Sequence, residues 1–467
     1  MSAQPTVMKY GGTSVEDAQA FRRVAATVAA ERDQRPVVVV SAISRMTDAL
    51  LAAVSAAAAG HASAADDALD PHLARHREIA TELLSQTEAE AFAAELANAQ
   101  RALAALWSRC ATEPRALPAL QDEIVAYGER LSATLLAAVL RAAGLPARYV
   151  DARRCIVTDE QFGRATPQTN ETTRRTCAEL GAVLDGDETP VLGGFIAATA
   201  SGATTTLGRG GSDYTAALVG ACLGAREIQI WTDVAGVLAA DPRIVPHAQT
   251  IPRLSYAEAA ELAFFGAKVL HPKTILPAVV RGIPVRICNS RDASAGDTVI
   301  YYDTDKTPHT VKAIAHKRGV TIVHVTSARM LGAYGFLRAL FEVFERQRTA
   351  VDVVATSEVS VSLSLDETDA LDVIEQDLNR LGAVKVERNR AIVCVVGEGL
   401  RNTPGIAAKV FTAVRNINVM LISQGASSIN LTFVVEEETV DQAVRQLHQA
   451  FFERDTRELY QTAMLDH

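Results

Sequence analysis

Cysteine is scarce in this chain and poorly spaced for metal: six residues among 467, at positions 110, 155, 177, 222, 288 and 394, none in a C-x-x-C pair. That spacing argues against structural zinc and fits a reducing compartment. Positive charge is in deficit, with a formal net charge of −9, so a general nucleic-acid surface is not expected and only a local cationic site remains open. No apolar run approaches the length of a membrane span. Strand-forming residues begin so early that no secretory leader is expected. The expectation is a cytoplasmic protein with neither nucleic acid nor membrane as partner. Two nucleotide signatures are also missing at the first strand, which carries neither G-x-x-x-x-G-K-[ST] nor G-x-G-x-x-G. With 48% hydrophobic and 22% charged residues, the chain suits a globular protein of two to four domains.

What stands at the first strand instead is "VMKYGGTSV", residues 7–15. A strand, a paired-glycine turn and a helix over Asp17–Ala30 make a place where backbone N–H groups can face an anion. The plain alternative is a tight turn whose glycines take positive φ. The run "VVVVSAI" after Pro36 has the β-branched continuity of a strand buried on both faces of a parallel sheet. From about Asp48 to Leu140 the chain is rich in Ala, Leu and Glu with helical spacing. Strand signals return at "ARYVDA", "TPVLGGFIA", "EIQIWTDV" and "PVRIC", separated by helical stretches. To roughly residue 300 this alternation predicts an α/β sandwich.

The tail repeats itself. "GFLRALFEVFERQRTAVDVVATSEVSVSLSL" starts at Gly335 and "GIAAKVFTAVRNINVMLISQGASSINLTFV" at Gly405, with Phe341 and Phe411 at equal offsets. A period of about 70 residues exceeds a solenoid repeat and suits a duplicated βαββ unit. Each copy opens on a glycine and a helix start, where an amino-acid carboxylate could dock; plain structural duplication is the alternative. "SINLTFVV", residues 428–435, alternates polar and apolar side chains.

The strongest chemical cluster is "TTTLGRGGSDYTAAL", residues 204–218. Gly208, Gly210 and Gly211 let amides crowd an anion, and Arg209 adds a forked cation. Asp213 falls in a first helical turn, where the dipole alone would favour it. Glu129 in "YGE" has the same plain explanation. "WTDV" ends a strand where α/β sheets carry ligands. Lys268 is on local grounds as well explained by solvent, and His271, before a proline, is assigned no chemistry.

"KYGGTS", "SAISRMTD", "YGE", "TLGRGGSDYTAA", "WTDV", "DPR" and "FGAKVLHP" follow one another in the order and spacing of the aspartokinase family, which the chain resembles over essentially its whole length. In the tail, "GFL", "VDVVATSEVSVSL" and "PGIAAKVF" resemble that family's paired ACT domains. The resemblance implies an amino-acid-kinase three-layer α/β sandwich over 1–300, followed by two ACT domains of ferredoxin-like βαββαβ form. The first, 310–390, would bind an effector. The second, 391–467, would serve pairing and be completed by a strand from about 301–325. The implied reaction moves the γ-phosphoryl group of ATP onto the β-carboxylate of L-aspartate, giving 4-phospho-L-aspartate, the entry to lysine, threonine and methionine synthesis.

By the same resemblance, Lys9 neutralises the transferring group and Asp213 organises the reacting groups. Gly11, Gly12, Gly208, Gly210 and Gly211, with Ser212, cradle phosphates. Arg209 takes the substrate α-carboxylate, Glu129 its ammonium, and Ser41 and Thr47 line the pocket. Thr232 and Asp233 lie by the adenosine, with Arg243 and Lys268 on ribose or phosphate. ATP comes with Mg²⁺, held mainly by the nucleotide rather than by protein ligands. L-Lysine is the implied inhibitor, at Met330, Gly335, Phe336, Leu337, Val351, Asp352, Ser357 and Glu358, with threonine or no effector as the alternatives. The implied assembly is a homodimer through the ACT domains, with tetramers as an option. Departures from the family pattern are Arg45 for a small residue, Gly193 for glutamine, Leu238 for an aromatic residue, and Ala333 and Ala350 for serine. Two other readings stay open: a catalytically silent amino-acid sensor, and a kinase for another small carboxylate such as glutamate.

Overall fold

Val37–Val40 are fully buried, because their strand lies inside a parallel sheet with helices on both faces. The computed structural model describes residues 4–266, 270–302, 311–332, 334–366 and 368–453. It contains two compact units. The first is Met1–Val237, Pro252–Tyr256 and Val269–Asp303; the second is Leu238–Ile251, Ala257–Lys268 and Thr304–His467.

The strands of the first unit are β1 (Thr6–Tyr10), β2 (Val37–Val40), β3 (Ala147–Tyr149), β4 (Val157–Thr158), β5 (Thr189–Gly193), β6 (Ile196–Thr199), β7 (Thr204–Thr206), β8 (Glu227–Thr232), β9 (Arg253–Ser255), β10 (Val285–Asn289) and β11 (Thr298–Tyr301). Eight of them form one sheet in the order β3-β5-β2-β1-β8-β10-β11-β9. Every pairing in it is parallel except β10 with β11. A smaller sheet has the order β4-β6-β7. Met8, Tyr10, Val38 and Val40 share a core with Phe21, Val24 and Val28 of the helix Ala18–Ala30, and with Leu50 and Leu136 from two later helices. On the opposite face the helix Gly211–Leu223 lies so close that a Cβ on Gly220 would meet Ile228 Cδ1 at 2.6 Å. Helix, sheet and helix make the three layers. The Ala-rich block folds as Met46–Ala58, Ala62–Leu83, Gln86–Thr112 and Leu117–Ala142, broken where Ser85 and Glu88 form a capping box.

The second unit holds β12 (Ala313–Thr326), β13 (Val354–Thr356), β14 (Ser360–Leu365), β15 (Ala383–Val396), β16 (Leu421–Gln424) and β17 (Asn430–Glu436), an antiparallel sheet ordered β13-β14-β12-β15-β17-β16. β12 and β15, 14 residues each, run through both repeats. Ala313–Lys317 pairs with Ile392–Val396, and Ile322–Thr326 with the stretch from Glu387 back to Ala383; the register shifts between the two blocks. Each half has its own core, one around Val323, Leu340, Phe344 and Ile374, the other around Val393, Val410, Phe433 and Leu447. The matched phenylalanines differ in role: Phe341 is exposed, while Phe411 packs edge-on against Phe433 with centroids 5.8 Å apart. The alternation in "SINLTFVV" is not realised either, since Leu431–Val435 are buried on both faces.

Two stretches from before residue 300 are fastened to this second sheet. Ile314 N–H donates to Ala239 O at 2.7 Å, and Arg445 Nε to Ile244 O at 3.2 Å. Asn430 Nδ2 donates to Glu261 Oε2 at 2.8 Å, and Lys312 Nζ lies 2.7 Å from Glu258 Oε2 with both side chains buried. Removing one partner of a buried pair costs about 3 kcal/mol or more, because the other charge stays buried. Lys312→Met is therefore expected to lower the stability of the second unit by roughly that amount, read from denaturant unfolding, while Lys312→Met with Glu258→Leu recovers most of it.

Candidate active site

The C-terminal ends of the parallel strands deliver the loops that build the site. Gly11 N–H donates to Trp231 O at 3.2 Å, Ser41 N–H to Tyr10 O at 3.0 Å, and Gly194 N–H to Val40 O at 2.9 Å. Lys9, on the central strand β1, is 9% exposed, and its Nζ lies 2.7 Å from Asp213 Oδ1 in the first turn of the helix Gly211–Leu223. The paired glycines after it are not there for positive φ. Gly11 has φ −74°, and Gly12 is required by proximity, since a Cβ there would sit 2.9 Å from Ala42 O. In the second loop the expectation of special backbone holds: Gly208 and Gly210 both have φ 74°.

Lys9, Gly12, Ser41, Thr47, Glu129, Gly208, Arg209, Gly210, Gly211, Ser212 and Asp213 line one cleft of about 630 Å³. Ser41 Oγ donates to Ser212 Oγ at 3.0 Å, joining the loops after β2 and β7. Glu129 sits in the buried middle of the helix Leu117–Ala142, not at its start, so the helix dipole does not account for it. Its Oε2 has no hydrogen-bond partner, and burial pushes its carboxyl up to about 8 despite backbone hydrogen bonds that favour the charged form. Arg209 is exposed, without a hydrogen-bond or ion-pair partner among the described residues. The cleft thus combines a buried acid lacking a cation, two guanidinium groups (Arg209 and Arg45) without a partner among the described residues, a paired lysine and two glycine-containing turns.

Gly11 does not line the cleft but sits against it; a Cβ there would lie 3.6 Å from Lys9 Nζ. Thr232 and Asp233 end β8 beside Gly11, with Thr232 Oγ1 donating to Asp233 Oδ1 at 3.3 Å. Arg243 lies in the second unit, closed on Asp241 with Nη2 to Oδ2 at 2.6 Å. Lys268 and Ala333 fall outside the described residues.

Asp122 escaped the sequence reading. Buried on the cleft wall, it accepts from Gly163 N–H at 2.8 Å, Thr206 N–H at 2.9 Å and Thr206 Oγ1 at 2.8 Å, tying the helix Leu117–Ala142 to β7 and a loop. Burial still raises its carboxyl above the usual range. Those partners are 41 and 84 residues away, so no local pattern announces it.

In the second unit Gly335, φ 83°, precedes the helix Phe336–Arg346, and Met330, Phe336 and Val351 pack on the first-half core. Leu337 is exposed. Ser357 and Glu358 lie at the exposed β13–β14 turn, where Ser357 Oγ and Ser360 Oγ are 2.7 Å apart. Asp352 Oδ2 already has an ammonium group 3.1 Å away, that of Lys317, which Asp366 shares.

The sequence and fold were compared with known proteins. The amino acid kinase family matches residues 4–289, and the ACT domain matches residues 393–451. Aspartokinase 3, chloroplastic, of Arabidopsis thaliana is 39% identical over 97% of this chain and 82% of its own length. Two crystal structures of E. coli aspartokinase III each cover 96% of this chain and 100% of their own. The complex with aspartate and ADP (R-state) has TM-score 0.80 and 36% identity. The complex with lysine and aspartate (T-state) has TM-score 0.81 and 37% identity. With a family model matched over more than half its length and relatives of this identity along nearly all of it, the chain belongs to the amino acid kinase family, in its aspartokinase branch.

Proposed function

We infer that this chain transfers the γ-phosphoryl group of ATP to the β-carboxylate of L-aspartate. The observation that carries the reading is the buried carboxyl of Glu129, whose Oε2 has no hydrogen-bond partner and which has no ion-pair partner among the described residues, in the same cleft as Arg209 and the Lys9–Asp213 pair. A buried acid without an internal cation fits an ammonium supplied by a ligand. Arg209 offers the planar fork that a carboxylate takes. The nucleophile is itself a carboxylate, ionised near neutral pH, so the reaction needs no general base, and no histidine is among the described residues lining the cleft.

Lys9 places its charge where the transferring oxygens carry theirs, and Asp213 holds that ammonium in position. The amides of Gly12 and of the turn Gly208–Gly210 are assigned to phosphate oxygens, since those of Gly11 and Gly211 already donate to Trp231 O and Gly208 O. Thr232 and Asp233 are assigned to the adenosine side. Magnesium, when bound, adds charge on the nucleotide phosphates. The similarity to an enzyme solved with aspartate and ADP supports the substrate assignments.

For regulation we propose inhibition by L-lysine in the first half of the second unit. Support comes from the similarity to a lysine-bound T-state enzyme and from the helix start at Gly335, whose amides suit a carboxylate. Asp352 is anionic company for an ammonium, and the effector would replace Lys317 there. Inhibition at a distance requires lysine to prefer a conformation with a poorly formed active site, and about 1–3 kcal/mol of coupling suffices. Assembly as a homodimer through this unit, with tetramers as an extension, is the matching expectation; the open edges of its sheet are β13 and β16.

Lys9→Ala is expected to lower kcat at least about a hundredfold, with the protein still folded by circular dichroism; near-normal turnover would remove Lys9 from the mechanism. Glu129 adds a pH signature. In the empty protein its carboxyl titrates at about 8, and an adjacent ammonium favours the charged form. Aspartate binding below that pH must therefore expel a proton. Affinity should rise with pH, by up to about tenfold per unit, and level off near 8. Calorimetry in buffers of different ionisation enthalpy would detect the proton, and Glu129→Gln should abolish both effects. Finally, titration with lysine and threonine should give inhibition by lysine that Asp352→Ala loses. Inhibition by threonine alone, or lysine inhibition untouched in the variant, contradicts the assignment.

A further inference from the structure

Arg45 stands on the cleft wall in a backbone conformation that its side chain resists. At φ 67° and ψ 0° it occupies the left-handed region, open to glycine and strained for a residue with a Cβ. It precedes the helix Met46–Ala58 without capping it. Its exposed guanidinium has no hydrogen-bond or ion-pair partner among the described residues. Arg75 is no compensation: its Nη1 donates to Ser44 O at 3.1 Å, and both arginines disfavour charge on His72. No side-chain contact of Arg45 among the described residues offsets the strain.

The position of the loop gives the strain a use. Ala42 and Met46 pack on the turn that precedes Glu129: a Cβ on Gly128 would lie 2.9 Å from Ala42 Cβ and 3.5 Å from Met46 Cγ. The segment that carries Arg45 is thereby packed against the helix that carries Glu129, and Arg45 lines the cleft together with Thr47, Glu129 and Arg209. We propose that Arg45 is a second guanidinium for the α-carboxylate of the amino-acid substrate, acting beside Arg209 while Glu129 takes the ammonium. The proposal rests on the reading of Glu129 and Arg209 as the amino-acid subsite. L-Aspartate brings one ammonium and two carboxylates, so against ionised Glu129 and two guanidinium groups the charges sum to zero, whereas Arg209 alone would leave one carboxylate uncompensated. Backbone strain held at a ligand-lining position is a recognised form of pre-organisation.

The test uses the full-length enzyme, its Arg45→Gly, Arg45→Lys and Arg209→Ala variants, and two substrates: L-aspartate and its α-amide, which keeps the β-carboxylate. Arg45→Gly should melt no lower than wild type, because glycine relieves the strain. Its KM for aspartate should rise about tenfold with kcat changed less than about twofold, the mark of lost ground-state binding. Arg45→Lys, which keeps the charge, should lie between. With the α-amide, wild type and Arg45→Gly should have the same KM, because the group that Arg45 reads is gone. An unchanged aspartate KM in both Arg45 variants, a rise in the ATP KM alone, or an equal KM loss on the α-amide overturns the proposal. Arg209→Ala separates the premise: if it weakens aspartate and the α-amide equally, the amino-acid subsite itself is misassigned.

Discussion

The first unit is organised around one contact, the ammonium of Lys9 against the carboxylate of Asp213 at 2.7 Å. A lysine on the central strand of a sheet is an awkward charge, and at 9% exposure it has little water to help it. Asp213 supplies the counter-charge from the head of the helix Gly211–Leu223, and in doing so brings that helix start to the end of β1. The rest follows from this junction. Gly12 must lack a Cβ because the turn after Lys9 presses on Ala42 O. The loop before Asp213 must pass through positive φ at Gly208 and Gly210 to enter the helix at that point. A charged pair flanked by two glycine-containing turns is thereby assembled by the fold itself, the pre-organisation that electrostatic stabilisation requires.

Three buried acids in the molecule illustrate what separates structure from function. Asp122 is satisfied by three hydrogen bonds, and Glu258 lies against Lys312; each ties together segments remote in sequence. Glu129 is buried as deeply and has no such cation, so its carboxyl is held protonated near neutral pH. An acid left in that state costs stability unless something outside the chain completes it. It stands on the wall of a cleft with two unpaired guanidinium groups, and the proposed recognition of a head group carrying both charges would offset that cost.

The second unit works by sharing. β12 and β15 are each long enough to serve two repeats, and the register shift between Lys317 and Ile322 marks where one repeat hands over to the other. Lys317 stands at that handover, held by Asp352 and Asp366, with its ammonium 4.7 Å from the ring centroid of Phe264. A cation placed among two carboxylates and an aromatic ring is a point where competition for one carboxylate changes the neighbours of several segments at once. That is the physical requirement for an effector to have different affinities for two arrangements.

Local pattern was enough for the elements and much of the site. The β-branched run at Val37–Val40, the alternation of strands and helices, and the Gly-led repeats at Gly335 and Gly405 each encode a nearest-neighbour preference that survives in the fold. Lys9, Ser41, Arg209 and Asp213 were singled out in advance, Arg209 from its flanking glycines and the other three chiefly from the family resemblance, and the fold brings them to one cleft. Partnership was not legible. That Gly12 answers to Ala42 O, that Asp122 clasps Gly163 and Thr206, that Glu129 lies mid-helix without a cation, and that Lys317 already occupies Asp352 all depend on groups brought together from distant positions. So does the attachment of the stretch before Gly266 to the sheet of the second unit. Propensity acts over a few residues, whereas desolvation and charge pairing act through space; the sequence alone determined which groups can bind phosphate and carboxylate, and only the tertiary structure decided which of them were left unpaired to do so.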